Sequence, residues 1–156
     1  MADGSELQHG TAVALGERAV LLRGPPGAGK SDLALRLMMD GAAGVIGSAI
    51  GMLVADDQVR LERHGETIML SPPNPTAGKL EVRGLGILDV AYRPEAPLGL
   101  VVDLVARDAV PRMPEAGEHA IILGLAVPRV SLWAFEPSAP LKVALALWST
   151  PESGGG

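Results

Sequence analysis

The chain has no cysteine and only four aromatic residues in 156: two tryptophans, one tyrosine and one phenylalanine. Without thiols it can form neither disulfides nor thiolate metal sites. With so few aromatics and a hydrophobic fraction of 47 %, the core must be built from Leu, Val, Ile, Ala and Met. No apolar run approaches the roughly 20 residues that a helix needs to cross a bilayer, so no membrane partner is expected. There is no basic run, and the net charge is −5. That balance argues against nucleic acid as a partner, although a nucleotide needs only a local site. The opening "MADGSELQHG" is polar and acidic, unlike a secretory signal. One cytoplasmic domain is the expectation.

What is present is ordered as mixed α/β. Residues 11–15 and 19–22 read as two short strands around a turn at 16–18. From 31 to 40 the apolar residues Leu33, Ala34, Leu37 and Met38 recur at helical spacing. The small, glycine-rich stretch 41–51 reads as a loop, with 43–50 as an insertion. "MLVADD" (52–57) reads as a buried strand ending in two acids. The next segment resembles a hairpin turning at His64 and Gly65, and the proline-rich 71–78 must be a loop. Strands are expected at 98–106 and 129–135, and a helix at 139–148. A disordered tail is expected over 150–156, which leaves 1–149 as the domain.

The densest chemistry is "GPPGAGKS", Gly24 to Ser31, which fits G-x-x-x-x-G-K-[ST] at every specified position. The chain's own residue frequencies give about 0.004 chance matches to that pattern. The loop residues Gly24, Pro25, Pro26, Gly27, Ala28 and Gly29 can turn backbone N–H groups toward phosphate oxygens, and the following helix offers its positive end. The tandem prolines stiffen the loop and spare the N–H groups of Gly27, Ala28 and Gly29. Lys30 can reach the β and γ phosphates, and the Ser31 hydroxyl can ligate Mg²⁺.

Asp56 and Asp57 follow the loop by about 26 residues, at the end of a strand. An acid there holds the metal or orients the nucleophile in phosphate-loop proteins. Adjacent strand residues point to opposite faces, so one of the pair is expected to face the phosphate. No N-K-x-D guanine motif is present. A compact phosphotransferase remains.

At "EVRGLGI", Glu81 to Ile87, the chain resembles HPr kinase/phosphorylase, the bacterial enzyme that phosphorylates a serine of the sugar-transport phosphocarrier HPr. Four motifs stand in the family's order: His9-Gly10, "GPPGAGKS", "VADD" at 54–57 and "EVRGLGI". The resemblance is to the catalytic half, as in the short alphaproteobacterial members. It implies a phosphate-loop kinase fold, with a strand-rich sheet flanked by the loop helix and a C-terminal helix. It also implies ATP and Mg²⁺, HPr as the partner, a role in carbon regulation and a hexamer.

By the same resemblance, Asp57 accepts the proton of the incoming serine hydroxyl, with Asp56 beside it. His9 holds and tunes that aspartate. Ser31, Glu81 and Asp56 surround Mg²⁺, and Gly84 and Gly86 allow close backbone approach. The family's later arginine corresponds best to Arg112, with Arg107 as competitor; either would stabilise developing phosphoryl charge. Members with strong dephosphorylation carry a proline-glycine-arginine segment before the last helix. Here that segment reads "FEPSAPLKV", with Lys142 in place of the arginine. Kinase activity without efficient phosphorolysis is expected. A small-molecule kinase and a non-catalytic nucleotide sensor are the rival readings.

Overall fold

The structure is a computed structural model that describes residues 4–39 and 51–150. The expected insertion at 43–50 and almost all of the expected tail lie outside the described residues. Eleven strands and two helices are described: β1 (Ser5–His9), β2 (Thr11–Leu15), β3 (Arg18–Arg23), α1 (Lys30–Met39), β4 (Gly51–Ala55), β5 (Gln58–His64), β6 (Thr67–Ser71), β7 (Lys79–Val82), β8 (Gly86–Asp89), β9 (Ala96–Leu104), β10 (His119–Ile122), β11 (Leu125–Leu132) and α2 (Ala139–Trp148). The curled main sheet runs β1-β5-β6-β9-β3-β2-β4. β7 and β8 form a separate hairpin.

The nine-residue β9 organises the sheet. One edge pairs parallel with β3. The other pairs antiparallel with β6 at Ala96 and Pro97, then parallel with β11 from Val101 to Leu104. β2 lies antiparallel between β3 and β4. The strands β4, β3, β9 and β11 therefore run in one direction, and their C-terminal ends share one rim of the sheet.

Sequence explains which strands lie inside. β2 and β3 are continuous apolar runs, as strands covered on both faces must be. β5 and β6 alternate buried and half-exposed residues, as one-sided strands do. One core layer gathers Leu21, Val54, Leu61, Leu70 and Val101 on one face of the sheet. On the other face α1 contributes Leu33, Ala34 and Leu37, and α2 contributes Ala139, Val143 and Leu147. Burying a side chain of this size is worth about 1.5–3 kcal/mol.

Several boundaries differ from the sequence expectation. "MLVADD" leaves the strand after Ala55, so both aspartates lie in a turn. The hairpin turns at Gly65 and Glu66, because His64 still pairs with Thr67. β11 starts four residues early, at Leu125, and carries Pro128. β1 and β10 were not anticipated: β1 pairs with β5 and β10 with β11.

Candidate active site

β3 delivers its C-terminal end to Gly24, and α1 begins at Lys30. The intervening loop is closed by Ala28 N–H donating to Pro25 O at 3.0 Å. Ala28's amide is therefore held within the loop. Those of Gly27, Gly29, Lys30 and Ser31 find no backbone acceptor among the described residues. Gly29 has φ +99°, and an added Cβ would lie 2.7 Å from Ala134 Cβ. Only glycine fits there, on both grounds. Lys30 Nζ donates to Gly24 O at 2.6 Å and to Pro25 O at 3.2 Å, so its ammonium spans the loop mouth.

Thr11 and Asp56 are the two polar side chains buried in the interior among the described residues, and they are bonded to each other. Asp56 is 5 % exposed. Its Oδ1 accepts from Thr11 Oγ1 at 2.9 Å and from Ser31 Oγ at 2.8 Å. Its Oδ2 accepts from Glu81 N–H at 3.1 Å. A buried carboxylate needs such donors. One side chain thereby ties the starts of β2 and α1, the end of β4 and the middle of β7.

Asp57 is placed differently. Its side chain is exposed, and its φ is +69°. Gln58 N–H donates to Asp56 O at 2.8 Å across it, so Asp57 is the centre of a three-residue γ-turn. With φ positive this turn is rare and strained, and non-glycine residues in such a state collect at functional sites. Gly10 N–H holds the turn by donating to Asp57 O at 3.1 Å. Gly10 must itself be glycine, since a Cβ would meet Leu22 O at 2.9 Å. The β1–β5 ladder sets His9 opposite Gln58, next along the chain from Asp57. No hydrogen bond joins the His9 side chain to Asp57 among the described residues.

Hydrogen bonds thus join Ser31, Asp56 and the Glu81 backbone; Asp57 follows Asp56 in the chain, and His9 stands opposite Gln58. Glu81 arrives by its backbone; its side chain is exposed. Arg112 stands apart: it lies exposed between Val110 and Glu118, and no hydrogen bond or ion pair joins it to the loop among the described residues. The competitor Arg107 sits over the Trp133 ring, 5.4 Å from its centroid. In the "RGLGI" segment Leu85 and Ile87 are exposed at the hairpin tip. No three acidic or histidine side chains form a metal cage among the described residues. The Ser31 hydroxyl and the Asp56 carboxylate, bonded to each other, are hard oxygen donors of the kind Mg²⁺ takes, and Glu81 would add its exposed carboxylate.

A second charged group was not legible in the sequence. Arg23, the last residue before Gly24, grips Asp103 with Nε at 2.8 Å from Oδ1 and Nη2 at 3.1 Å from Oδ2. Arg129 Nη1 adds a contact to Oδ2 at 3.1 Å. Burial pushes the Asp103 carboxyl up. The bonds and charges of Arg23, then Arg129, outweigh it and hold the pKa below its ordinary value.

Known proteins resemble this chain over most of its length. The family model of the HPr Serine kinase C-terminal domain matches residues 2–137. HPr kinase/phosphorylase of Lactobacillus delbrueckii subsp. bulgaricus is 33 % identical over 135 residues, covering 80 % of this chain and 40 % of the relative. Those of Azoarcus sp. and Chromobacterium violaceum are each 36 % identical, over 136 and 141 residues. They cover 80 % and 82 % of this chain, and 41 % and 42 % of the relatives. The chain spans about two fifths of the length of these relatives. A solved structure, the Hpr(Ser) kinase/phosphatase from Coxiella burnetii, superposes with a TM-score of 0.73 at 24 % identity, covering 92 % of this chain and 94 % of that one. That likeness shows the strand-rich α/β fold. No described helix is long and apolar enough to cross a membrane. By the match over residues 2–137 and the identity with these relatives, the chain belongs to the family of the HPr Serine kinase C-terminal domain.

Proposed function

We propose that this chain is the catalytic domain of a cytoplasmic protein kinase that transfers the γ-phosphoryl group of ATP to a serine of HPr, and so regulates carbon use. Residues 1–149 constitute that domain, and a homo-oligomer is its working form. The observation that carries the reading is the pairing of two adjacent aspartates in opposite states. Asp56 is buried and bonded to Ser31 of the phosphate loop. Asp57 is exposed on a strained turn beside it.

The roles follow from those positions. The amides of Gly27, Gly29, Lys30 and Ser31 cradle phosphate oxygens, and Lys30 moves from its own loop carbonyls onto the β and γ phosphates. Ser31, Asp56 and Glu81 would hold Mg²⁺, which when bound neutralises charge on the phosphates. Asp57 takes the proton of the serine hydroxyl while its oxygen attacks the γ phosphorus and ADP departs. A general base of this kind supplies about 10²–10⁴-fold. His9 positions Asp57. Arg112 would stabilise the charge that develops on the transferring phosphoryl group.

Weak phosphorolysis also finds support. Lys142, standing where strongly dephosphorylating members have an arginine, is paired with Glu136 at 2.6 Å. That pairing engages the one cation the segment carries.

Intact-mass spectrometry of HPr after incubation with the protein, Mg²⁺ and ATP tests the proposal. One added phosphoryl group on a serine is expected. Phosphorylation of small metabolites with HPr unmodified would favour a small-molecule kinase. ATP binding without transfer to any acceptor would favour a nucleotide sensor.

A further inference from the structure

Two of the chain's four aromatic residues, Trp133 and Phe135, meet beside the phosphate loop. Their ring centroids are 6.3 Å apart and their planes cross at 74°, an edge-to-face pair. Both follow directly on β11. The tip of Phe135 lies against the loop: a Cβ on Gly29 would come within 3.0 Å of Phe135 Cζ. Yet the Phe135 side chain is 50 % exposed, while Ala134 beside it is fully buried. The segment is held firmly. Arg36 of α1 donates to the carbonyls of Ala134 and Glu136. The Arg107 guanidinium covers the Trp133 ring. In a chain so poor in aromatics, a half-exposed ring fixed against a phosphate loop calls for a ligand.

Sheet order says which part of the ligand. Asp56 and Asp57 follow β4, on one side of β3. The ends of β9 and β11 lie on the other side. A triphosphate whose terminal phosphate faces Asp57 must extend its nucleoside away from β4, toward the segments after β9 and β11. We propose that Phe135 is the platform on which the nucleobase stacks, that Trp133 buttresses it edge-on, and that Arg107 fixes Trp133. This rests on the reading above that the loop holds a nucleoside triphosphate. Stacking needs only a π face, which every base offers.

Isothermal titration of the full chain with Mg²⁺-ATP and with Mg²⁺-tripolyphosphate tests the platform, because the second ligand has no base. With Phe135→Leu, which keeps apolar bulk against Gly29, ATP should bind about 5- to 150-fold more weakly and tripolyphosphate within about twofold of wild type. Phe135→Tyr should restore ATP binding. An equal loss for both ligands would overturn the proposal, since the ring would then merely prop the loop. An unchanged ATP affinity in Phe135→Leu would overturn it too, with the loop reading intact. If the wild-type chain bound neither ligand, the loop reading would fall and the platform with it.

Discussion

The Ser31 hydroxyl donates to Asp56 Oδ1 at 2.8 Å, although the two residues are 25 apart in sequence. That bond fixes the first turn of α1 to the end of β4. The Thr11 hydroxyl shares the same oxygen, so a buried carboxylate sets the distance between the phosphate loop and the turn that carries Asp57.

Thr11→Val tests this arrangement with little change of shape. It removes one donor from a buried charged acceptor, worth about 1.5–3 kcal/mol. Urea unfolding should show the midpoint falling with an unchanged slope. An unaltered midpoint would mean that Asp56 is held adequately without Thr11.

The strain at Asp57 has its own signature. Asp57→Gly and Asp57→Ala both lose the carboxylate, but only glycine accepts φ +69° freely. The glycine variant should be more stable than the alanine variant by about 1–2 kcal/mol. Thermal unfolding of the two, side by side, checks it. Equal stabilities would show that the turn is relaxed.

Acid should loosen the strand that leads into the phosphate loop. The folded-state pKa of Asp103 lies below its ordinary value of 3.8. Its ionised form therefore contributes stability that is fully present above that value and is lost as pH falls through it toward the folded pKa. Asp103→Asn lacks this contribution. The stability gap between wild type and this variant should be constant near neutral pH and shrink below about pH 4. Urea titrations across that range measure it. A gap that widens on acidification would reverse the sign.

The phosphate loop, both helices and the inner strands were legible because their signals are local. A spaced glycine-lysine pattern, leucines on one helical face and continuous apolar runs each need only a short window of sequence. β1 was not legible: "SELQH" is mostly exposed, pairs only with β5 and so has no apolar signature. β11 was read as starting at Arg129, but it begins at Leu125 and includes Pro128. The proline is tolerated within the strand, opposite His119. The Asp103 group was out of reach for a different reason. Arg23 and Asp103 are 80 residues apart, and nothing but the parallel pairing of β3 with β9 brings them together. The site showed the same division. Ser31 and Asp56 were singled out from motifs and are bonded to each other, whereas Thr11 carries no motif and is revealed only by its burial beside Asp56.

The central claim is that Asp57 works as a base opposite a triphosphate held by the loop. Rapid-quench measurement of a single turnover, with HPr and saturating Mg²⁺-ATP, compares wild type with Asp57→Asn most directly. The transfer rate should fall about 10²–10⁴-fold in the variant while its ATP dissociation constant stays near that of wild type. A variant that transfers at the wild-type rate would contradict the account.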